Sequence, residues 1–461
     1  MNLISQLQQK LLAVLSHERQ PIVVAYSGGV DSHVLLHCLH TLRAQGKINN
    51  PLGAIHIHHG LSPNADHWLQ HCQQICQAMD IPLQAAKVNL AQQNRQSLEA
   101  VARMARYSKI TEVAPKQALV LLAQHQDDQL ETMLLQLKRG AGPKGLAAMA
   151  ELATHVTGID NHKELAFLRP LLNSSQREIM AYATEQQLQW IEDESNHNVD
   201  FERNFLRHKV LPVLTQKWPE LAKTASRSAQ LCAEQQLLLE EVSMQKLAQF
   251  RAADNSLLVT PLLNLSSAWL HQLIRSWLSE QGISSPSHTI LQKLKAELLS
   301  AKVDASPILQ WSKWQFRRFD GRLFVIPVEP SISAHTLLWL GQKQLNLPAP
   351  LGTLHCQSTV KQAGYPNGLL FNPEAGELKI HFGGYAQRFK PLDGACSKPL
   401  KQWYKEWKIA PWLRDKIVLL TQNEQPLALL IDGKWLLSQQ HHLSLASGPK
   451  EQLISLLYKG K

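Results

Sequence analysis

At 461 residues with 44% hydrophobic side chains, the chain is too long for one ordinary domain and has material for two or three cores. No run of about 18 apolar residues occurs, which argues against a membrane-spanning helix. Lys plus Arg outnumber Asp plus Glu by 47 to 37, and the +10 balance favours a polyanionic partner met through phosphate contacts.

The N-terminus, MNLISQLQQKLLAVLSHERQ, is amphipathic and lacks a small-residue cleavage site. It reads as a first helix of a cytoplasmic protein. Strands are expected at 21–26 (PIVVAY), 52–57, 81–88 and 118–124, each followed by a helical pattern, at 31–45, 65–79, 97–114 and 127–139. Strands alternating with helices predict an α/β fold, an N-terminal doubly wound parallel sheet. Ligands of such sheets bind beyond the carboxyl ends of the strands, and the segments 27–32, 58–61 and 124–131 all follow strands. From Glu220 to about Ser300 the pattern is helical, at 221–250, 266–281 and 288–300. Beyond 305 short strands return, with hairpin signals at Asp320-Gly321 and Asp432-Gly433. Pro327, Pro330, Pro348 and Pro350 give 327–350 the look of a linker. The expected division is a catalytic domain at 1–215, a mainly helical domain at 216–325 and a small mixed α+β domain at 350–461.

Ser27-Gly28-Gly29-Val30-Asp31-Ser32 is the most specific chemical signal. Two glycines let the backbone approach a phosphate, successive N–H groups form an anion cradle, and Ser32 opens a helix whose N-terminus is partly positive. The G-x-x-x-x-G-K-[ST] spacing is absent, so this is no Walker-type loop. Asp31 can hold Mg²⁺ or a solvated cation between phosphates. In AQHQDDQLET (123–132), Asp128 and Glu131 lie three apart on one helical face, fit for a cationic substrate or a metal. Taken alone, they read as an acidic first turn that complements the helix dipole. His58 and His59 lack a third ligand at zinc-like spacing and read as structural. Six scattered cysteines form no C-x-x-C pair, and Cys72 and Cys76, four apart on a helix, read as core thiols. Arg103 and Arg106 are one turn apart, and a guanidinium from either suits an oxyanion. In 383–416, Arg388, Lys390, Lys398, Lys401, Lys405, Lys408 and Arg414 interleave with Trp403, Tyr404, Trp407 and Trp412. That mixture suits RNA phosphates and bases, although Trp403 and Trp407 read first as packing.

SGGVDS matches the pyrophosphatase loop of the PP-loop ATPases. The ordered set of SGGVDS (27–32), HIHHGLSPNADHW (56–68), LEAVARMARY (98–107), AQHQDDQLET (123–132), KRGAGPKGLAAM (138–149), RPLL (169–172) and WIEDESNHNVDFERNFLRHKVLP (190–212) resembles the tRNA(Ile)-lysidine synthetase family over nearly the whole chain. The resemblance implies a PP-loop type N-terminal sheet and a ligase acting on tRNA(Ile) with a CAU anticodon. In this family C2 of the wobble cytidine is adenylated with ATP, and the ε-amine of free L-lysine then displaces AMP. It further implies ATP binding by Ser27 to Ser32, and Mg²⁺ or catalytic electrostatics at Asp31 and Asp127. Lysine would be held by Asp128 and Glu131, and Arg103 or Arg106 would stabilise the adenylated intermediate. Contacts with tRNA fall to Arg203, Arg207, Arg388, Lys390, Lys401 and Arg414. Two alternatives are another PP-loop tRNA base-modifying enzyme and a noncatalytic tRNA-binding protein. Against a thiolase stands the missing cysteine pair, and against decay stand the intact Ser27, Asp31, Ser32, Asp127 and Glu131.

Overall fold

Period-two alternation in the first strand sets up two cores. In the computed structural model, β1 (Ile22–Ala25) sends Ile22 and Val24 into one hydrophobic cluster and Val23 into another. The structure describes residues 2–58, 60, 62–88, 98–157, 163–302, 305–333, 335–358, 368–373, 376–441 and 454–459. His59 lies outside them. The chain divides into two compact units, Met1–Val242 and Ser243–Lys461.

In the first unit, α1 (Leu3–Val14) buries Leu3, Leu7 and Leu11 at four-residue spacing, and the Asn2 side chain caps it by accepting from the Ser5 amide. Then come α2 (Val30–Ala44), β2 (Leu52–His58), α3 (Ala65–Ala78), β3 (Leu83–Lys87), α4 (Leu98–Val113), β4 (Leu119–Leu121), α5 (Gln126–Lys138) and the short α6 (Pro143–Leu146). The four strands and helices expected from the sequence are all present; β1, β3 and β4 are shorter than expected, and β2 runs one residue longer, to His58. The structure adds β5 (Leu152–Thr157) and β6 (Lys163–Leu168), whose mixed polar and apolar residues give no clean strand period, and α7 (Gln176–Glu185). Strand order is β3-β2-β1-β4-β6-β5, parallel except for β5 against β6. One face packs against α1, α2, α3 and α7, with Cys72 and Cys76 in that core; the other packs against Ile110 of α4. The chain steps outward from β1 to β2 and β3 on one side and to β4 on the other. The crevice at the carboxyl ends of β1 and β4 is therefore the topological switch point.

Beyond the sheet, α8 (Glu202–Phe205), a π-helical turn (Leu206–Val210) and α9 (Leu211–Lys217) form one bent helical segment, and α10 (Leu221–Leu247) carries the division between units.

The second unit begins with β7 (Leu257–Leu258), α11 (Val259–Leu263), α12 (Ser267–Glu280) and α13 (His288–Lys293), which runs into a π turn at Leu294–Leu299. β8 (Ile308–Trp311), β9 (Trp314–Phe319) and β10 (Arg322–Pro327) complete a sheet with β7, over a core holding Trp277, Trp311 and Phe316. The segment 327–350, expected as a linker, instead contains β11 (Thr336–Trp339) and β12 (Gln344–Asn346). Its prolines sit at strand ends and between strands, where no ladder N–H is needed. β11 pairs with β15 (Leu378–Phe382), in a sheet continued by β18 (Val418–Gln422), β19 (Gln425–Ile431) and β20 (Lys434–Leu437). β12 pairs with β13 (Thr353–Ser358), followed by β21 (Ile454–Lys459) and β14 (Gly368–Phe371). Both expected hairpins form. Asp320 and Gly321 (φ 47° and 72°) and Asp432 and Gly433 (φ 48° and 75°) occupy the left-handed region that two-residue hairpin loops require. No helix of the described residues is long and apolar enough to cross a membrane.

Candidate active site

The loop after β1 is cross-tied. Ser32 Oγ donates to the Gly29 carbonyl (3.0 Å), accepts from the Ser27 amide (3.2 Å) and meets Ser27 Oγ at 3.0 Å. Gly28 stands at φ +89°, and a Cβ there would lie 2.7 Å from Ile191 Cδ1 and 3.0 Å from Cys72 Sγ. Gly29 is the N-cap of α2 and has no side chain to close the first turn, so the leading amides of Val30, Asp31 and Ser32 remain directed at the crevice. One Asp31 carboxylate oxygen is buried with no hydrogen-bond partner.

Across the switch point, His125 is the N-cap of α5 and is 2% exposed. Its Nε2 lies 3.8 Å from Asp31 Oδ2 and 3.5 Å from Asp128 Oδ2, and its Nδ1 lies 3.6 Å from Asp127 Oδ2. Burial disfavours the imidazolium, but the three carboxylates outweigh it and push the histidine up to about 9. The 3.3 Å approach of the Asp127 amide to Nδ1 would need a neutral ring; with three carboxylates so close, the charged form is favoured and Nδ1–H faces Asp127. Burial alone would raise Asp127, yet His125 and the Gln176 amide, which donates to Oδ2 at 2.8 Å, hold it below the usual carboxylate range. Burial raises Asp31 and Glu131.

Arg207, one turn into the bent segment, closes the acidic group. Its Nε donates to Glu131 Oε1 (2.8 Å), and its terminal Nη2 to Glu131 Oε2 (3.1 Å) and Asp128 Oδ1 (3.2 Å). Arg203 Nη2 donates to Thr132 Oγ1 at 3.2 Å. The two arginines expected at tRNA from the sequence therefore lie against α5. On α4, Arg103 stacks over Tyr107 at 5.4 Å from its ring centroid, whereas Arg106 is exposed. Loss of hydration among its neighbours, and then the charge of Arg103, presses the Arg106 guanidinium down from its ordinary value, and Tyr107 and Asp193 oppose them.

The crevice thus brings together Ser27 to Ser32, Asp127, Asp128, Glu131 and Arg207. The sequence reading had not singled out His125, although it stands where an N-cap would be Ser, Asp or Asn. The sequence reading gives segment 189–191 no role at the loop, although Trp190 and Ile191 open the 190–212 stretch that carries the resemblance. There the Ile191 amide donates to the Gly28 carbonyl at 3.0 Å, and the Gln189 backbone bonds His33 and His71. His58 is paired with Asp66 at 3.1 Å. Among the described residues, no group of three or more His, Cys, Asp or Glu is arranged to hold a metal by itself.

In the second unit, Arg388 on β16 (Arg388–Phe389) and Lys401 on α14 (Leu400–Glu406) are exposed, and Lys390 is half-buried. Arg414, at the end of α15 (Pro411–Arg414), donates Nε–H to the Ile409 carbonyl at 2.9 Å. Trp403 and Trp407 stack on each other at 5.2 Å and pack on a core of Phe389, Leu400 and Tyr404, with the Trp403 N–H bonded to the Phe389 carbonyl.

Comparison with known proteins agrees with this organisation. Residues 3–214 match a family described as a PP-loop domain, 257–324 a TilS substrate binding domain and 378–436 a TilS substrate C-terminal domain. The tRNA(Ile)-lysidine synthase of Serratia proteamaculans is 40% identical over 92% of this chain and 94% of its own. That of Vibrio cholerae O395 is 38% identical over 90% and 92%. That of Yersinia pseudotuberculosis IP32953 is 40% identical over 93% and 94%.

Proposed function

Because this chain belongs to the tRNA(Ile)-lysidine synthase family, we propose how its residues divide the work of an ATP-dependent ligase that forms lysidine on tRNA(Ile). The observation that carries the reading is the charge balance of the crevice. Four carboxyl groups, Asp31, Asp127, Asp128 and Glu131, face the cations His125 and Arg207. That leaves room for the further positive charge of a substrate ammonium and a metal.

Ser27 to Ser32 grip the pyrophosphate end of ATP through α2's first amides. Asp31 and Asp127 are the residues that would hold Mg²⁺, and the unpartnered, buried oxygen of Asp31 fits that role. Magnesium takes one or two carboxylates and completes its shell with phosphate oxygens and water, so a three-ligand protein cluster is not needed. When bound, it offsets the charge of the departing pyrophosphate. The C2 oxygen of the wobble cytidine attacks the α-phosphorus and pyrophosphate leaves. The ε-amine of lysine, deprotonated, then bonds to C2, and AMP departs with the oxygen. Asp128 and Glu131 receive the lysine's ammonium charge. Between the two arginines of α4, Arg106 suits the adenylate better, because Arg103 is engaged with Tyr107. Arg388, Lys390, Lys401 and Arg414 are the candidate tRNA contacts of the second unit. The expected division of labour is catalysis at 1–215 and tRNA contact at 216–325 and 350–461.

The direct test combines purified protein, ATP, labelled lysine and a tRNA(Ile) transcript with a CAU anticodon. Label should enter the tRNA and depend on the wobble cytidine. No incorporation, or equal incorporation with uridine at that position, would rule out lysidine formation.

A further inference from the structure

Arg207 caps a pair of carboxylates that the proposed reaction needs for another cation. Glu131 is 1% exposed, and the guanidinium forks onto both of its oxygens while also reaching Asp128. The Arg207 side chain is 35% exposed, so it sits on the solvent side of the pair, where an arriving ammonium must enter. Leaving such a buried pair ionised without a cation is costly, so Arg207 or a substituting cation is the favoured partner of the two carboxylates.

The element that carries Arg207 is held mainly by polar contacts, Arg203 to Thr132, Asn204 to the Ser195 and Asn198 carbonyls and His208 to the Asn196 carbonyl, and little by apolar packing. Neither α8 nor the π turn has a buried residue, and Leu211 is the buried side chain of α9. π turns are helices with one residue too many, and they recur at functional sites. Relaxing this one by a residue would rotate Arg207 by about 100° around the helix axis.

We propose that Arg207 is a placeholder cation, which occupies Asp128 and Glu131 in the free enzyme and yields them to the ammonium of lysine as the 202–217 segment shifts. The inference rests on the reading of those carboxylates as the lysine site. Two states follow, closed by Arg207 and open to lysine. The apparent lysine affinity of the enzyme is the intrinsic affinity multiplied by the open fraction.

Labelled L-lysine binding to full-length protein, without ATP or tRNA, tests this by equilibrium dialysis. Arg207→Ala should bind lysine at least about 10-fold more tightly than wild type, as expected if the open state is about a tenth populated or less. Arg207→Lys, which keeps a cation in place, should return affinity toward wild type. Glu131→Gln should bind lysine weakly with either residue at 207. A folded Arg207→Ala protein that binds lysine equally or more weakly would overturn the placeholder and make Arg207 part of the binding site. Should that variant not fold, hydrogen exchange on wild type decides. Saturating lysine should speed exchange of the 202–217 amides, and unchanged or slower exchange would overturn the proposal. Incorporation of lysine into tRNA is measured on the same preparation. Its absence would break the ligase reading, whereas incorporation without the affinity gain would break only the placeholder.

Discussion

Ile191 holds Gly28 in place twice over: its amide donates to the Gly28 carbonyl at 3.0 Å, and its Cδ1 fills the space a Gly28 side chain would need. The loop after β1 is therefore closed from behind by a segment more than 160 residues downstream in the sequence.

Gly28→Ala should be destabilising, since alanine at φ +89° is strained and its methyl collides with Ile191 and Cys72. A cost of about 1–3 kcal/mol is expected from strain and overpacking. Thermal melts should show it, together with a large fall in lysidine formation. Ile191→Ala in the same protein should recover part of the lost stability, and strictly additive losses would refute the steric account.

Much of this loop could be read from the sequence, and its backing could not. SGGVDS after PIVVAY announces an anion-binding turn because its glycines, its helix-opening serine and the preceding strand are local features. Likewise the unbroken apolar run Ile22, Val23 and Val24 announces a strand buried on both faces. Ile191, in contrast, is an ordinary aliphatic residue whose importance exists only after folding. Arg207 shows the same limit: the resemblance implied a tRNA contact there, and only the fold brings its guanidinium to Glu131. In 327–350 the prolines outweighed the short apolar run TLLW, whose partner strand β15 lies 40 residues away.

A histidine next to the loop predicts acid sensitivity. His33 is 1% exposed with a buried Nδ1 that lacks a partner, and burial pushes it down to about 4. The unfolded chain takes up this proton near pH 6.5, but the folded chain resists it until about pH 4. Stability is thus complete above 6.5 and falls as pH drops toward 4, by at most about 3 kcal/mol from this residue. His37, His56 and His71 are shifted by burial in the same direction. Urea melts between pH 7.5 and 5 should show the decline, and His33→Gln should flatten it. An unchanged slope in the variant would refute the assignment.

Asp128→Asn should separate lysine use from ATP use. An asparagine oxygen can still accept from the His125 amide, as Asp128 Oδ2 does at 3.1 Å, so α5 keeps its cap. Losing one charged hydrogen bond, worth about 1.5–3 kcal/mol, should raise the KM for lysine roughly 10- to 100-fold. ATP binding should change far less than the KM for lysine, because the hydrogen bonds of Asp128 go to the His125 amide and Arg207. Comparable losses of both would remove Asp128 from the lysine site.

The two arginines of α4 should separate kinetically. Arg106→Ala should lower the rate of adenylation by about 100-fold or more, the scale of removing one donor from a developing oxyanion. Arg103→Ala removes a ring contact of roughly 0.5–1 kcal/mol and should cost several-fold at most. Pyrophosphate release in single-turnover assays with tRNA distinguishes them, and equal losses would argue that both touch the intermediate.

The cations of the second unit differ in how free they are to meet phosphate. Lys401 is exposed, and Arg388 is exposed with its guanidinium near its own hairpin, donating to the Ser397 carbonyl. Arg414 is half-buried and spends its Nε–H on the Ile409 carbonyl. If Lys401 and Arg388 contact the tRNA backbone, charge reversal at each should weaken binding and reduce the slope of log affinity against log salt by roughly one. Melting temperature should hardly move, because exposed charges away from special features contribute within about 0.5 kcal/mol. Arg414→Glu should instead lower melting temperature, because it removes a fixed donor from the turn that leads into β18. A salt slope unaltered by both Lys401→Glu and Arg388→Glu would place the tRNA on another face of this unit.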